Sequence, residues 1–183
     1  MREHLPDWRG RTVTCIASGP SLTLEDCRMV AGPIVVTNST FRLVPWADAL
    51  FFFDPPWWRV NAKEVRETFA GRVFTQSLVP LKGVNCVRRD LRFKSFGNAG
   101  ANAVSFAIAA GASKVVMLGY DCALTDGRAH HHADHPSPLR NCDTIARWPQ
   151  QFARLADWAA RRGARVVNAS RVTALECFPR EPL

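Results

Sequence analysis

The sequence predicts a doubly wound α/β domain, a single Rossmann-like, mostly parallel sheet with helices on both faces. Three observations carry the prediction. Short, continuous apolar runs recur along the chain, as expected of strands covered on both faces. Segments of helical periodicity lie between them, so strand and helix alternate throughout. The ends of the apolar runs carry a consistent set of small and polar residues.

The elements follow in order. Residues 12–17 read as a buried strand stopped by Ser18-Gly19-Pro20-Ser21. Residues 33–38 form a second strand ending in Thr37-Asn38-Ser39, and residues 49–53 a third, closed by Asp54-Pro55-Pro56. A helix is predicted over 57–69, a strand over 72–75 and a short strand over 84–87. Gly97-Asn98-Ala99-Gly100 opens a small-residue helix to about residue 110, apolar nearly all round and therefore buried. Residues 114–119 make a strong strand with Asp121 just past its end; a helix over 148–162 and a strand over 164–168 complete the pattern. Residues 120–146 show no period and carry four of the five histidines, too long a stretch for an ordinary connection, which predicts a functional loop.

The whole chain, 1–183, fits one nucleotide-binding α/β domain of 20.4 kDa. At 47% hydrophobic and 22% charged residues the composition excludes a disordered chain. No apolar run reaches the roughly 18 residues of a membrane span, and the first ten residues lack a signal peptide's apolar core. The six cysteines are scattered without a C-x-x-C pair, which predicts reduced thiols and a cytoplasmic location. Net charge of +8 makes anionic partners favourable, nucleic acid among them, although 20 of the 24 basic residues are Arg, a bias that genome composition also produces. The densest basic run, Arg88-Arg89-Asp90-Leu91-Arg92-Phe93-Lys94, reads equally as a solvated loop or a phosphate-binding one.

In open α/β sheets ligands bind beyond the carboxyl ends of the strands. Those ends hold Ser18, Gly19, Pro20 and Ser21, then Asn38, then Asp54, then Asp121, while Asn98, Ala99 and Gly100 sit at a helix start whose unpaired N–H groups favour an anion. Each has a plain structural reading as well: Ser21 or Thr23 as a helix N-cap, Asn38 as a turn residue, GNAG as a simple helix start. Together they point to one nucleotide-sized pocket, with Asp121 as a candidate catalytic residue beside it. In His130-His131-His132-Ala133-Asp134-His135 the types suit a metal, but the spacing is not the i, i+4 helical arrangement; a general base for an acceptor hydroxyl is the better use, with His132 and His135 the candidates because Asp134 lies close enough to orient one. No metal site is assigned. Trp57 and Trp58 serve equally as stacking platforms or core. The chain has no P-loop, no G-x-G-x-x-G and no D-x-D pair, which weighs against Walker-type NTPases, ordinary dehydrogenases and metal-dependent sugar-nucleotide transferases.

From residue 12 to about 123 the sequence resembles the bacterial sialyltransferases of glycosyltransferase family 42. The resemblance rests on Cys15-Ile16-Ala17-Ser18-Gly19-Pro20-Ser21-Leu22, Thr37-Asn38, Phe51-Phe52-Phe53-Asp54-Pro55, Gly97-Asn98-Ala99-Gly100-Ala101-Asn102 and Val116-Met117-Leu118-Gly119-Tyr120-Asp121. A related group that includes archaeal 6-hydroxymethylpterin diphosphokinases shares the G-P-S-L and G-x-D pattern. Short proteins of tailed phages share it too, with an Asp-His-Pro segment and a late Val-Val-Asn-Ala-Ser stretch. The resemblance implies a transferase with a nucleotide-activated, CMP-sugar-type donor. Gly19, Pro20 and Ser21 would line the phosphate side, Asn38 the ribose or phosphate, Asn98 to Gly100 the base or ribose, and a loop His would act as base on an acceptor the sequence does not name. Two departures stand out. Ser18 replaces the family's Asn, and the single tyrosine, Tyr120, replaces a pair near the departing phosphate, leaving that charge to Arg128, Arg140 or the histidines. The alternatives are a pterin-type diphosphokinase using ATP and Mg²⁺, and a nucleic-acid-binding or DNA-modifying phage protein.

Overall fold

The computed structural model describes residues 5–124, 127–128, 130–132 and 145–183. Seven strands form one all-parallel sheet: β1 (Thr12–Ile16), β2 (Ile34–Thr37), β3 (Ala49–Phe52), β4 (Arg72–Thr75), β5 (Asn85–Cys86), β6 (Lys114–Leu118) and β7 (Arg165–Asn168), in the spatial order β5-β4-β3-β2-β1-β6-β7. The predicted doubly wound class is therefore the observed one, with every strand parallel. Register is continuous from Val36 beside Leu50 to Ile16 beside both Val36 and Leu118.

Alternate side chains of each strand feed two separate cores, as the period of two demands. Val13, Cys15, Val35, Phe51 and Met117 face α3 (Ala99–Ala109) and α4 (Trp148–Arg161). Ile16, Val36, Leu50, Phe52 and Leu118 face α2 (Pro55–Thr68) and Cys27 of α1 (Leu24–Met29). The change of face follows from handedness. The chain steps outward from β1 to β5 with its helices on one side, then returns past β1 to β6 and β7, and right-handed crossovers in the reverse direction must use the other side.

Local chemistry sets the helix ends. Thr23 accepts the Asp26 N–H at 3.2 Å, so Thr23 rather than Ser21 caps α1, a six-residue helix for which the sequence reading offered a cap but no range. α2 begins at Pro55, two residues earlier than predicted, because proline is pre-set for the first helical turn where its missing N–H has no partner to lose. α3 is buried along its whole length, as its all-round apolar sequence requires, and packs Phe106 among Trp8, Phe51 and Phe74. Phe106→Ala removes the ring at the centre of that cluster and is expected to destabilise the fold by about 3–5 kcal/mol, read from urea unfolding. Cys15, Cys27 and Cys177 are free thiols, and burial pushes the Cys15 thiol well above its ordinary range. Among the described residues no helix is long and apolar enough to cross a membrane.

Candidate functional site

Strand order reverses between β1 and β6, so the crevice beyond their C-terminal ends is the topological switch point. Its two walls are the Ser18–Leu22 turn and Gly119-Tyr120-Asp121, and they are bonded to one another. The Gly19 N–H donates to the Gly119 carbonyl at 2.8 Å. The Ser21 N–H and hydroxyl donate to the two oxygens of Asp121, each at 2.8 Å. A Cβ on Gly19 would lie 2.1 Å from Asp121 Oδ1 and 2.5 Å from the Gly119 oxygen, so the close approach of the walls excludes any side chain there. The glycine of G-P-S-L and the aspartate of G-x-D thus explain one another.

This bonding also sets what the turn can offer a ligand. The N–H groups of Gly19 and Ser21 face the opposite wall, that of Leu22 returns to the Gly19 carbonyl at 3.1 Å, and Pro20 has none. The turn is a shaped wall rather than a ring of amide donors. Asp121 is fully buried, with its carboxylate holding that wall.

The stretch after β7 closes the back of the crevice. The Tyr120 N–H donates to Ser170 Oγ at 2.7 Å, and the Ser170 N–H to Asn168 Oδ1 at 3.0 Å. Asn168 Nδ2 donates to Thr173 Oγ1 at 3.0 Å, whose hydroxyl donates to the Tyr120 carbonyl at 2.7 Å. The Ala174 N–H meets the Asp121 carbonyl at 2.8 Å. Arg171 reaches across to buried Asp26 of α1 through Nε at 2.7 Å and a terminal nitrogen at 2.9 Å, holding its carboxyl below the usual range despite burial. Residues 168–174 therefore strap both walls together, a role that the Val-Val-Asn-Ala-Ser stretch marks in sequence without revealing.

The remaining strand ends border the same edge. Asn38, directly after β2, has a left-handed backbone with φ of 46°, and its side-chain oxygen is buried without a hydrogen-bond partner. Asp54, after β3, takes the N-cap position of α2 without a side-chain cap bond, and burial raises its pKa. Asn98 caps α3 by accepting the Ala101 N–H at 3.1 Å, so its oxygen has a structural partner; Ala99 and Gly100 form the first turn. The Tyr120 hydroxyl donates to the Gly100 carbonyl at 3.2 Å from a fully buried ring, which makes the sole tyrosine a packing residue. Trp57 and Trp58 are core, the latter stacked on Phe52 with ring centroids 5.1 Å apart.

Loop histidines return to the first wall. His130 Nδ1 lies 3.1 Å from Ser18 Oγ, and the His131 N–H donates to the Ser18 carbonyl at 2.9 Å. The His132 ring stacks on His130 with centroids 4.9 Å apart. His135 and Asp134 lie outside the described residues. The sequence reading singled out His132 and His135 as candidates for the base; the histidine whose ring meets Ser18 is His130. Among the described residues no three His, Cys, Asp or Glu side chains are grouped to hold a metal ion.

Burial first, and then the neighbouring His132, lower the His131 pKa to about 4. A pKa below the unfolded value of about 6.5 means that the unfolded chain binds the proton first. Stability from this residue is therefore present above pH 6.5 and is lost as pH falls toward 4. His131→Gln is expected to flatten the stability difference between pH 7 and pH 4.5 relative to the parent, read from urea midpoints at the two pH values.

No protein-family model matches the sequence, and no curated protein sequence matches it. Among solved structures the fold is similar to that of the sialyltransferase CstII from Campylobacter jejuni. Its complex with the substrate analogue cytidine-5'-monophosphate matches at a TM-score of 0.64 and 10% identity, over 94% of this chain and 85% of that one. Its complex with CMP-3FNeuAc matches at 0.64 and 11%, over 92% of this chain and 85% of that one. The likeness extends the resemblance in residues 12–123 to the architecture of nearly the whole chain, as a distant structural relationship.

Proposed function

We propose that the protein is a transferase acting on a nucleotide-activated donor of the CMP-sugar type, bound beyond the C-terminal ends of β1 and β6, where strand order reverses. The observation that carries this reading is the buried, unpartnered side-chain oxygen of Asn38, which directly follows β2, the strand paired with β1. A buried carbonyl without a donor is unfavourable by about 1–3 kcal/mol, and a ribose hydroxyl or a base amino group supplies the missing donor. The fold shared with a sialyltransferase that binds cytidine-5'-monophosphate supports the choice of nucleotide.

The roles follow from position. The Ser18–Ser21 turn shapes one wall, with Asp121 as its positioning residue. The first turn of α3, from Asn98 to Gly100, directs N–H groups and the positive end of the helix dipole toward the donor phosphate. His132, or His135 beyond the described residues, takes the proton of the acceptor hydroxyl as its oxygen attacks the donor's anomeric carbon. The bond from that carbon to the phosphate oxygen breaks, and the nucleoside monophosphate leaves with the electron pair. Such a donor has a single phosphate, which agrees with a sequence that has no D-x-D pair.

Thermal unfolding with CMP tests the reading directly. At about 100 times its dissociation constant CMP is expected to add roughly 2.7 kcal/mol, a rise of about 5–10 °C, without Mg²⁺. Asn38→Gly, which tolerates the left-handed backbone but lacks the carbonyl, should lose most of that rise. A shift with ATP that needs Mg²⁺ would replace this reading with a diphosphokinase, and equal CMP shifts for parent and variant would remove Asn38 from the site.

A further inference from the structure

The loops leaving the C-terminal ends of β4 and β5 combine dense positive charge with exposed aliphatic side chains. Residues 77–94 contain Lys82, Arg88, Arg89, Arg92 and Lys94 against one acidic residue, Asp90. All five basic residues are exposed, and Asp90 is engaged by Arg92 at 2.7 Å. Leu78 and Val79 follow β4 with 58% and 59% of their surface exposed, and Leu91 follows β5 with 97% exposed.

Topology places these features side by side. β4 and β5 are adjacent and parallel, with Phe74 opposite Asn85 and Thr75 opposite Cys86, so both loops emerge at the same end of the sheet. The Val87 N–H donates to the Thr75 carbonyl at 2.9 Å, and the Asp90 and Phe93 N–H groups close two successive turns onto Val87 and Asp90. Phe93 and Phe96 are buried and anchor the far end of the run. The turn that presents Arg88, Arg89 and Leu91 is thus tied to the end of β4 rather than loose.

One exposed leucine needs no explanation. Three aliphatic side chains beside Arg88, Arg89 and Arg92 at one sheet edge match a partner that is anionic outside and apolar beneath. Basic residues gain near the headgroups of an anionic bilayer while aliphatic side chains enter the acyl boundary. Nucleic acid would satisfy the cations, but its bases favour exposed aromatic rings, and the aromatics of this run are buried.

We propose that the loops after β4 and β5 form a docking surface for anionic phospholipid membranes. The same sheet edge carries the crevice, and three strand spacings of about 4.8 Å separate β4 from β1, so docking holds the crevice close to the headgroup layer. The inference does not depend on what the crevice binds.

Vesicle flotation tests it, using phosphatidylcholine alone and phosphatidylcholine with about 30% phosphatidylglycerol, at low and high salt. The protein is expected to float with the anionic vesicles, to stay behind with the neutral ones, and to release at high salt. Each basic residue near such a surface contributes about a factor of five in partitioning. Arg88→Glu combined with Arg89→Glu should therefore lower it by about twentyfold or more. Leu91→Asp, at an almost fully exposed position, should lower it severalfold, and it keeps the test open if the charge reversals disturb folding. Failure to float with anionic vesicles, or flotation indifferent to Leu91→Asp, overturns the proposal. So does a short DNA duplex that displaces the vesicles and binds with the same dependence on Arg88 and Arg89.

Discussion

Gly19→Ala is expected to destabilise the protein by about 3 kcal/mol and to abolish the thermal shift with CMP proposed above. The added methyl would sit 2.1 Å from a carboxylate oxygen of Asp121 and 2.5 Å from the Gly119 carbonyl, separations that no real Cβ contact shows. The obstruction cannot be relieved by swinging a flexible side-chain end away, since one neighbour is backbone and the other is held by two hydrogen bonds from Ser21. Overpacking of this kind is unfavourable by about 1–3 kcal/mol, and parting the walls also weakens the bonds between them. For a domain of this length the loss lowers the melting temperature by roughly 6–12 °C. Gly83→Ala is the control. Gly83 has a φ of +78° with nothing within 4 Å of its missing Cβ, so that substitution should pay only the left-handed backbone penalty of about 1–2 kcal/mol. Equal losses for the two variants would show that the walls do not meet at Gly19.

What the sequence disclosed about this architecture depended on how locally each feature is written. The strands were legible because a strand covered on both faces must be apolar throughout, and Ala49 to Phe52 or Val115 to Met117 cannot easily be anything else. α3 was legible for the same reason, since a run of small and apolar residues that is buried all round leaves no polar face to confuse its assignment. The extent of α1 was not legible beyond its candidate caps, because six residues give less than two turns and Asp26, a polar residue, is buried by its pairing with Arg171, 145 positions away. Composition cannot encode a partner at that distance. The candidate site divides along the same line. The turn residues and the strand-end polar groups were visible as residue types at the ends of the strands, whereas the Ser21–Asp121 pairing that joins two of those ends is tertiary. Nothing local indicates that Ser21 faces Asp121 or that Ser170 and Thr173 bracket Tyr120, whereas the Asn98 cap is a local bond to the Ala101 N–H at a helix start the sequence marked.

Asp121→Ala should produce the other large effect, a loss of about 3–5 kcal/mol, because it strands two donors rather than one. The N–H and hydroxyl of half-buried Ser21 both depend on this fully buried carboxylate, and each hydrogen bond to the charged group contributes about 1–3 kcal/mol. Ser21→Ala should be milder, about 1 kcal/mol, since the backbone N–H of residue 21 still reaches the carboxylate and only one bond is lost. The two substitutions act on one interaction, so the double variant should be less damaged than the sum of the singles by about 1 kcal/mol or more in urea unfolding. Additive losses would show that Ser21 and Asp121 contribute independently, and the account of Asp121 as the residue that positions the turn would be wrong. The conservative variant separates positioning from proton transfer. Asp121→Asn retains an acceptor for the Ser21 N–H and turns an amide toward Ser21 Oγ, which can accept as well as donate. It should keep most of the stability and most of the CMP response, whereas a carboxylate that acted on the acceptor would be irreplaceable in turnover while leaving both of those readings intact.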